Sequence, residues 1–257
     1  VCYKSEDRIT DTSYEKFVNM LVKRDHARPL EFGTVHLQMY ISDFHKLRDT
    51  LCINNMWNDQ WIKYHYAGNI TYVTTNYRYY LAIIKVFPSA ENDFDPQDDE
   101  LYPKRYTVHF ITSRGIMDEF RTHVGLSHLA ESSRYCSYDK NRFGNELTFI
   151  IPNWVNTNCP NKEQEGPSVA SIEWSTAMLD AEASYMNLIK MGCTAQEARE
   201  VLPLSIKSEL ISCGFEDAWS NFFYRRCAKD AHPMAREIAT KVRDEFNELK
   251  NETKESK

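Results

Sequence analysis

Two stretches of the sequence alternate between apolar and polar side chains. They span residues 33–41 and 105–112, and a period of two is typical of a strand that buries one face. The apolar positions are Val35, Leu37, Met39 and Ile41 in the first stretch and Tyr106, Val108 and Phe110 in the second. Residues 147–151 form a shorter apolar run that Pro152 ends, and residues 69–75 are rich in β-branched and aromatic side chains. We therefore expect the fold to contain sheet.

Helical spacing of apolar residues accounts for much of the remaining chain. We expect helices over residues 12–25, 43–52, 114–131, 169–191, 194–203, 216–228 and 233–250. Two of them open on a predicted capping box, Thr12 with Glu15 and Thr194 with Glu197. Residues 79–87 fit a strand, or a strand followed by a helix, and the acidic, proline-containing residues 88–104 fit a surface loop. Together these patterns predict one α+β domain over residues 1–250 and a disordered tail over residues 251–257.

Charge and cysteine usage limit the possible partners. The net charge of −6 argues against binding a nucleic-acid polymer, which requires a basic field. Seven cysteines without a CxxC pair predict free thiols in a reducing cytoplasm and no structural metal site. No apolar run approaches the roughly 18 residues that span a bilayer. We therefore expect a cytoplasmic protein that does not enter a membrane.

A polar turn is the most chemically suggestive feature. The helix predicted to end near Glu131 is followed by Ser132, Ser133, Arg134 and Tyr135. Hydroxyl groups and a guanidinium fork suit a phosphate group or the polar edge of a uracil ring. A solvated loop with an exposed arginine is the alternative interpretation, because polar turns are common.

The surrounding residues resemble flavin-dependent thymidylate synthases. His123 is followed by Ser132 at the spacing of the family's Arg-His-Arg motif, and Ser132–Tyr138 resembles the end of that motif. Arg114-Gly115 stands where the family often has Arg-Gly. Three further segments, Asp25–Phe32, Thr74–Arg78 and Ala198–Leu204, are similar to family motifs in the same order.

This resemblance implies a fold and an activity. The fold would be a single α+β domain with a central, mostly antiparallel sheet and helices packed on it. The activity would be that of an FAD-dependent methyltransferase, the reductive methylation of dUMP to dTMP. 5,10-Methylenetetrahydrofolate would supply the carbon and NADPH the reducing equivalents, and the family's enzymes are homotetramers.

The resemblance also implies roles for individual residues. Ser132, Ser133, Arg134, Arg199 and Arg226 match positions that bind dUMP, and Ser132 and Arg226 are the candidate catalytic residues. The candidate FAD-binding residues are His26, His123 and Asn221, and Arg28 is a further candidate for supplying charge there. Without the resemblance, His123 is equally a core histidine and Arg199 a surface residue.

The sequence departs from the family at the flavin side of the site. Thr122 and Val124 replace the two arginines of the Arg-His-Arg motif, Ala130 replaces a polar residue and Phe32 a histidine. A lost charge-assisted contact costs about 1.5–3 kcal/mol. The motifs thus retain the nucleotide half of the site better than the flavin half. Two alternatives stay open: altered pyrimidine-nucleotide chemistry, such as hydroxymethylation, and nucleotide binding without catalysis.

Overall fold

The computed structural model describes residues 9–134, 138, 146–157 and 168–255, with side chains up to residue 251. The helices are α1 (Ser13–Lys23), α2 (Ile41–Ile53), α3 (Tyr77–Val86), α4 (Arg114–Phe120), α5 (Asn153–Thr157), α6 (Val169–Lys190), α7 (Ala195–Ala198), α8 (Glu216–Arg226) and α9 (Pro233–Glu255). The strands are β1 (Thr34–Tyr40), β2 (Ile62–Ala67), β3 (Ile70–Asn76), β4 (Phe94–Asp95), β5 (Arg105–Ser113), β6 (Ser127–Ala130) and β7 (Lys207–Phe215). Short 3-10 helices cover Arg28–Phe32, Pro88–Asp93 and Arg199–Val201.

The strands form two antiparallel sheets. One has the order β2-β3-β1-β4 and the other the order β5-β7-β6. The predicted α+β class, with antiparallel strands covered by helices, is confirmed. The strands are divided between two sheets, however, where the prediction was a single central one.

Each sheet buries one face against helices. In the first sheet, Leu37 and Val73 pack with Phe44 of α2 and Ile83 of α3. In the second sheet, the buried face contacts α4, α8 and α9 through a core of large aromatic and aliphatic side chains. The members of that core include Phe110, Phe120, Leu210, Trp219, Phe222 and Phe246. The second core fixes α4 and α8, which carry several of the predicted site residues.

The 3-10 helix Arg28–Phe32 joins the two sheets. Arg78, at the start of α3, donates to the buried carboxylate of Glu31. Arg105 of β5 donates to the Glu31 carbonyl across 2.6 Å and to the Gly33 carbonyl across 3.1 Å. Arg78 lies just after the end of β3 in the first sheet, and Arg105 belongs to the second sheet. The segment 28–32 is therefore hydrogen-bonded to residues in or next to both sheets.

Most predicted elements are present. Strands form at 34–40, 70–76 and 105–113, and helices form in the predicted N-terminal and C-terminal regions. The Thr194–Glu197 capping box is confirmed, with both of its hydrogen bonds formed. Residues 77–86 are helical, because the side chain of Asn76 accepts from the Tyr79 backbone N–H and caps the helix. The 88–104 segment contains the 3-10 turn and the two-residue strand β4.

Two helix predictions were wrong in detail. Thr12 makes no side-chain cap bond, so the predicted capping box with Glu15 does not form. The helix predicted over 114–131 ends at Phe120. Gly125, with φ 93°, turns the chain back so that residues 127–130 pair with β7 as strand β6.

Strand β7 was not predicted at all. It is the central strand of its sheet, and nearly all of its residues are buried, including the polar or small residues Glu209, Ser212 and Gly214. A strand that is buried on both faces lacks the alternation that marks an exposed one. The predicted 147–151 strand is reduced to one bridge between Phe149 and Ile206. Helix α9 continues through residues 251–255 of the predicted tail, and residues 256–257 lie outside the described part.

Within the described ranges, no helix combines the length and the apolar character that crossing a bilayer requires.

Candidate functional site

A cavity of about 240 Å³ opens between α4, the 199–204 segment and β7. Ser133 and Arg199, two of the predicted nucleotide-binding residues, both line it. The backbone N–H groups of Arg114 and Gly115 donate to the carbonyls of Ile206 and Leu204, at 2.9 and 3.1 Å. These bonds fix the start of α4 against the opposite wall of the cavity.

Three cations line this cavity. Arg114 Nε lies 3.0 Å from Asp118 Oδ2, Arg199 Nε lies 3.2 Å from Glu200 Oε1, and Lys207 Nζ lies 2.7 Å from Glu209 Oε1. Each side chain retains further N–H groups beyond these contacts, since a guanidinium has five and an ammonium three. Asp118 and Glu200 line the cavity as well, so it is these remaining N–H groups, and not an excess of positive charge, that suit it to a ligand such as a phosphate monoester.

Ser132 and Arg134 lie beside the cavity without lining it. Ser132 is half-buried, and Arg134 is exposed, with its Nε donating to Gln196 Oε1 across 2.9 Å. Gln196 belongs to α7, one helical turn before Arg199. The structure thus brings the 132–134 turn and Arg199 together, as the sequence predicts. Tyr135 and Cys136, from the same motif, lie outside the described residues.

Arg226 lies in a different place, packed against the C-terminal end of α4. Its Nε donates to His123 Nε2 across 2.7 Å, its Nη1 to Glu119 Oε2 across 2.7 Å and its Nη2 to the Glu119 carbonyl across 2.7 Å. Asp118, next to Glu119, lines the cavity. The Arg226–His123 pair therefore lies at the C-terminal end of α4, and the cavity lies along its start.

His123 is held neutral. It is buried, and burial followed by the charge of Arg226 lowers the pKa of His123 to about 4. Because Nε2 accepts from Arg226, the ring proton resides on Nδ1. The ring of His123 also packs on Phe222, at 4.8 Å between centroids, as a core histidine would. The residue therefore has both a core contact and the polar contact with Arg226.

His128, which sequence reasoning missed, contacts the same turn. Its Nε2 lies 3.2 Å from the His123 carbonyl and its Nδ1 lies 2.8 Å from Ser212 Oγ. A carbonyl can only accept, so Nε2 carries the proton and Nδ1 accepts from the serine hydroxyl. Burial lowers the pKa of His128 as well.

The other predicted flavin-side residues are exposed. His26 and Asn221 are both on the surface, and the Oδ1 of Asn221 accepts from Arg225 Nε across 3.3 Å. Arg28 is 63% exposed and its Nη1 lies 4.0 Å from Glu31 Oε2.

Positive charge nonetheless surrounds the two histidines. Arg28 and Arg121 both lower the pKa of His128, and Arg225 and Arg226 both lower that of His123. These arginines come from the 28–32 turn, the end of α4 and the end of α8. Carboxylates balance part of this charge, since Arg121 pairs with Asp118 at 3.2 Å and Arg226 with Glu119 at 2.7 Å. The remaining N–H groups of these arginines are the ones that could donate to the phosphates of a cofactor.

Several residues of the two sites were not predicted. They are Arg114, Asp118, Glu119, Arg121, His128 and Lys207. Only Arg114 gave a signal, through its Arg-Gly pair, whereas the others occur in no motif that the sequence reveals. The position of Lys207 depends on the β5–β7 register, which places it opposite Ser113, and the position of His128 depends on the pairing of β6 with β7.

Comparison with known families decides the classification. The sequence model of the family described as thymidylate synthase complementing protein matches residues 104–250, more than half of the 257-residue chain. The chain belongs to this family. No curated protein matches the sequence.

The match to the thymidylate synthase complementing family includes the residues of the cavity and of the Arg226–His123 pair. It begins beside β5 and ends within α9, so the cavity, His123 and Arg226 all lie inside it. The protein is thus related in function to thymidylate synthases, for which dUMP is the substrate. The segments at residues 25–32 and 74–78, which also resemble the family, lie outside the matched range.

Proposed function

We propose that the protein is a flavin-dependent thymidylate synthase that reductively methylates dUMP to dTMP. In this proposal 5,10-methylenetetrahydrofolate donates the carbon, NADPH is the reductant and FAD is the bound cofactor. The observation that carries it is the cavity at the start of α4, which contains Ser133 and Arg199 inside the family match. The Arg226–His123 pair at the other end of α4 adds a second polar centre.

The cavity is the proposed nucleotide site. Arg199, Arg114 and Lys207 bind the phosphate of dUMP, with the hydroxyl of Ser133 as a further donor. Ser132 and Arg134 belong to the same turn, and we assign them to the nucleotide too. Arg134 exchanges its contact with Gln196 for one with the ligand, because it is exposed and already next to α7.

Arg226 and Ser132 are the proposed catalytic residues. The carboxylate and carbonyl of Glu119 hold the guanidinium of Arg226 in one orientation. A fixed cation of this kind stabilises negative charge that develops on the uracil ring when its C5 carbon becomes nucleophilic. His123, neutral at neutral pH, accepts from Arg226 and adds no competing charge.

The flavin site is proposed beside the two histidines. Arg28, Arg121 and Arg225 bind the diphosphate, and His123, His26 and Asn221 contact the rest of the cofactor. Bound FAD supplies the hydride that completes the methyl group. We also propose that the protein is a cytoplasmic homotetramer. The homotetramer is what the resemblance to flavin-dependent thymidylate synthases implies.

The absorbance spectrum of the purified protein tests the flavin half of this proposal. We expect flavin bands after reconstitution with FAD, and dTMP formation when dUMP, methylenetetrahydrofolate and NADPH are added. A protein that takes up no FAD contradicts the proposed activity and favours nucleotide binding without catalysis. Mass analysis that shows hydroxymethyl-dUMP as the product establishes the altered-chemistry alternative in its place.

A further inference from the structure

We propose that a second cavity, in the N-terminal half of the chain, binds a planar heteroaromatic ring of nucleobase size. It has a volume of about 320 Å³ and lies between the 54–61 turn and helix α3. Its lining includes two tryptophans, two asparagines and one arginine: Trp57, Trp61, Asn55, Asn58 and Arg78. The cavity lies outside residues 104–250, and no residue assigned above to the nucleotide or flavin lines it.

The two indole rings provide flat apolar walls that the core holds in place. Trp57 packs at 6.3 Å from the ring of Phe44 and at 6.3 Å from that of Tyr64. Trp61 packs edge-on against Tyr79 at 5.6 Å. Both tryptophans are only partly buried, so part of each ring remains available to a ligand. Rings fixed in this way lose little conformational freedom when a ligand stacks on them.

The backbone of the cavity is also fixed before any ligand binds. The hydroxyl of Tyr79 donates to the Met56 carbonyl, which ties the turn to α3. The hydroxyl of Thr75 donates to the Trp61 carbonyl across 2.7 Å, which ties the turn to β3. Preformed cavities with aromatic walls and a few polar groups are typical of small-molecule sites.

Arg78 indicates that the ligand is recognised by its ring and not by a charge. Its guanidinium carbon lies 5.9 Å above the Trp61 ring, and the planar group extends the stacking surface. The buried carboxylate of Glu31 neutralises it. A phosphate group would find one cation among the residues that line this cavity, against three in the first cavity, so the second cavity is the poorer phosphate site.

The asparagines provide a polar edge. The Oδ1 of Asn58 accepts from the Gln60 N–H at 2.9 Å, which leaves the amide N–H groups of Asn58 to face a ligand. Asn55 supplies a second amide to the lining of the cavity. An aliphatic ligand would gain nothing from these groups, whereas a ring with nitrogen and oxygen atoms at its edge pairs with them. A nucleic-acid polymer is disfavoured by the net charge of −6.

Calorimetry with nucleosides tests the proposal. Adenosine, guanosine, cytidine and uridine are titrated into the full-length protein and into Trp61→Ala. We expect at least one nucleoside to bind and the substitution to weaken its binding about 10-fold or more, as for other base–aromatic stacks. Trp154→Ala is the matched control, because Trp154 is 39% exposed and lies in α5, away from this cavity. A thermal melt of each variant, together with the milder Trp61→Phe, identifies any loss that is due to unfolding.

Two outcomes overturn the proposal: no heat with any of the four nucleosides at millimolar concentration, or equal affinity in Trp61→Ala and wild type. Trp61→Ala also separates this site from the proposed nucleotide site, because Trp61 lines the second cavity and not the first. A nucleoside that binds only in the first cavity keeps its affinity in Trp61→Ala, which is the second of these outcomes. Adenosine and AMP are expected to bind with similar affinity. The test is independent of whether the protein makes dTMP.

Discussion

The Nε of Arg226 lies 2.7 Å from Nε2 of His123, so an arginine at the end of α8 donates to a buried histidine after α4. This contact couples the charge of one residue to the protonation of the other. The carboxylate of Glu119 balances the arginine from the opposite side. A change at Arg226 should therefore change the protonation of His123.

Arg226→Gln is expected to raise the pKa of His123 above its wild-type value of about 4, because a cation that disfavours imidazolium is removed. Burial still keeps it below the ordinary histidine value. An NMR titration of the imidazole signals measures the change. Arg243→Gln, at an exposed position paired with Asp244, is the control and leaves the His123 titration unchanged. An unaltered titration in Arg226→Gln would contradict the electrostatic coupling.

The free energy of unfolding is expected to fall as the pH is lowered from about 6.5 towards 4. Over this window the unfolded chain protonates His123 while the folded chain does not, so protons favour unfolding. One such group contributes a slope of up to about 1.4 kcal/mol per pH unit. Urea denaturation across the window measures it. His123→Gln, which still offers an acceptor to Arg226, reduces the slope, whereas His65→Gln on the exposed part of β2 does not.

Arg199→Ala is expected to weaken dUMP binding by about 10-fold or more, because a charge-assisted hydrogen bond contributes about 1.5–3 kcal/mol. Calorimetry with dUMP in the absence of cofactors measures the effect, and Arg243→Ala provides a matched surface control. If Arg199→Ala binds dUMP as tightly as the wild type, the cavity at the start of α4 is not the nucleotide site.

Gly125→Ala is expected to destabilise the protein more than Gly68→Ala. Both glycines have positive φ, 93° and 58°, but a Cβ at Gly125 meets the Ala218 Cβ at 3.2 Å whereas one at Gly68 meets nothing within 4 Å. The backbone strain is about 1–2 kcal/mol at Gly68, whose φ lies in the left-handed helical region, and it is larger at Gly125, whose φ lies outside that region; the contact with α8 adds a further cost only at Gly125. Urea denaturation compares the two variants. Equal losses would contradict the extra cost at Gly125.

Thr194→Ala is expected to cost about 1 kcal/mol of stability through loss of its capping box. Thr12→Ala is the matched control, since Thr12 precedes a helix in the same way but makes no side-chain cap bond. The difference in the free energy of unfolding between the two variants measures the cap itself. A comparable loss in both would indicate that the threonines act through the backbone.

The sequence predicted those elements whose pattern agrees with their surroundings. Strand β1 alternates because one face is buried, and α8 begins and ends close to the predicted residues. Strand β6 was missed because residues 120, 123, 127 and 130 happen to follow helical spacing, while the decisive residue is Gly125. Local spacing does not reveal where a glycine turns the chain.

The sequence predicted only those residues of the candidate site that belong to a family motif. Ser133 and Arg199 were identified through family motifs and lie in one cavity, as expected. Lys207 could not be placed, because its position beside Arg114 depends on the pairing of Ser113 with Lys207 across two distant strands. The contacts of Arg226 with His123 and Glu119 could not be predicted either, because sequence spacing does not show which side chains lie beside the end of a helix.

The 3-10 helix Arg28–Phe32 is anchored to both sheets through one residue. Glu31 accepts from Arg78 through its carboxylate and from Arg105 through its carbonyl. The turn that carries Arg28 therefore has a defined position relative to both sheets, and removal of either arginine would leave it held from one side.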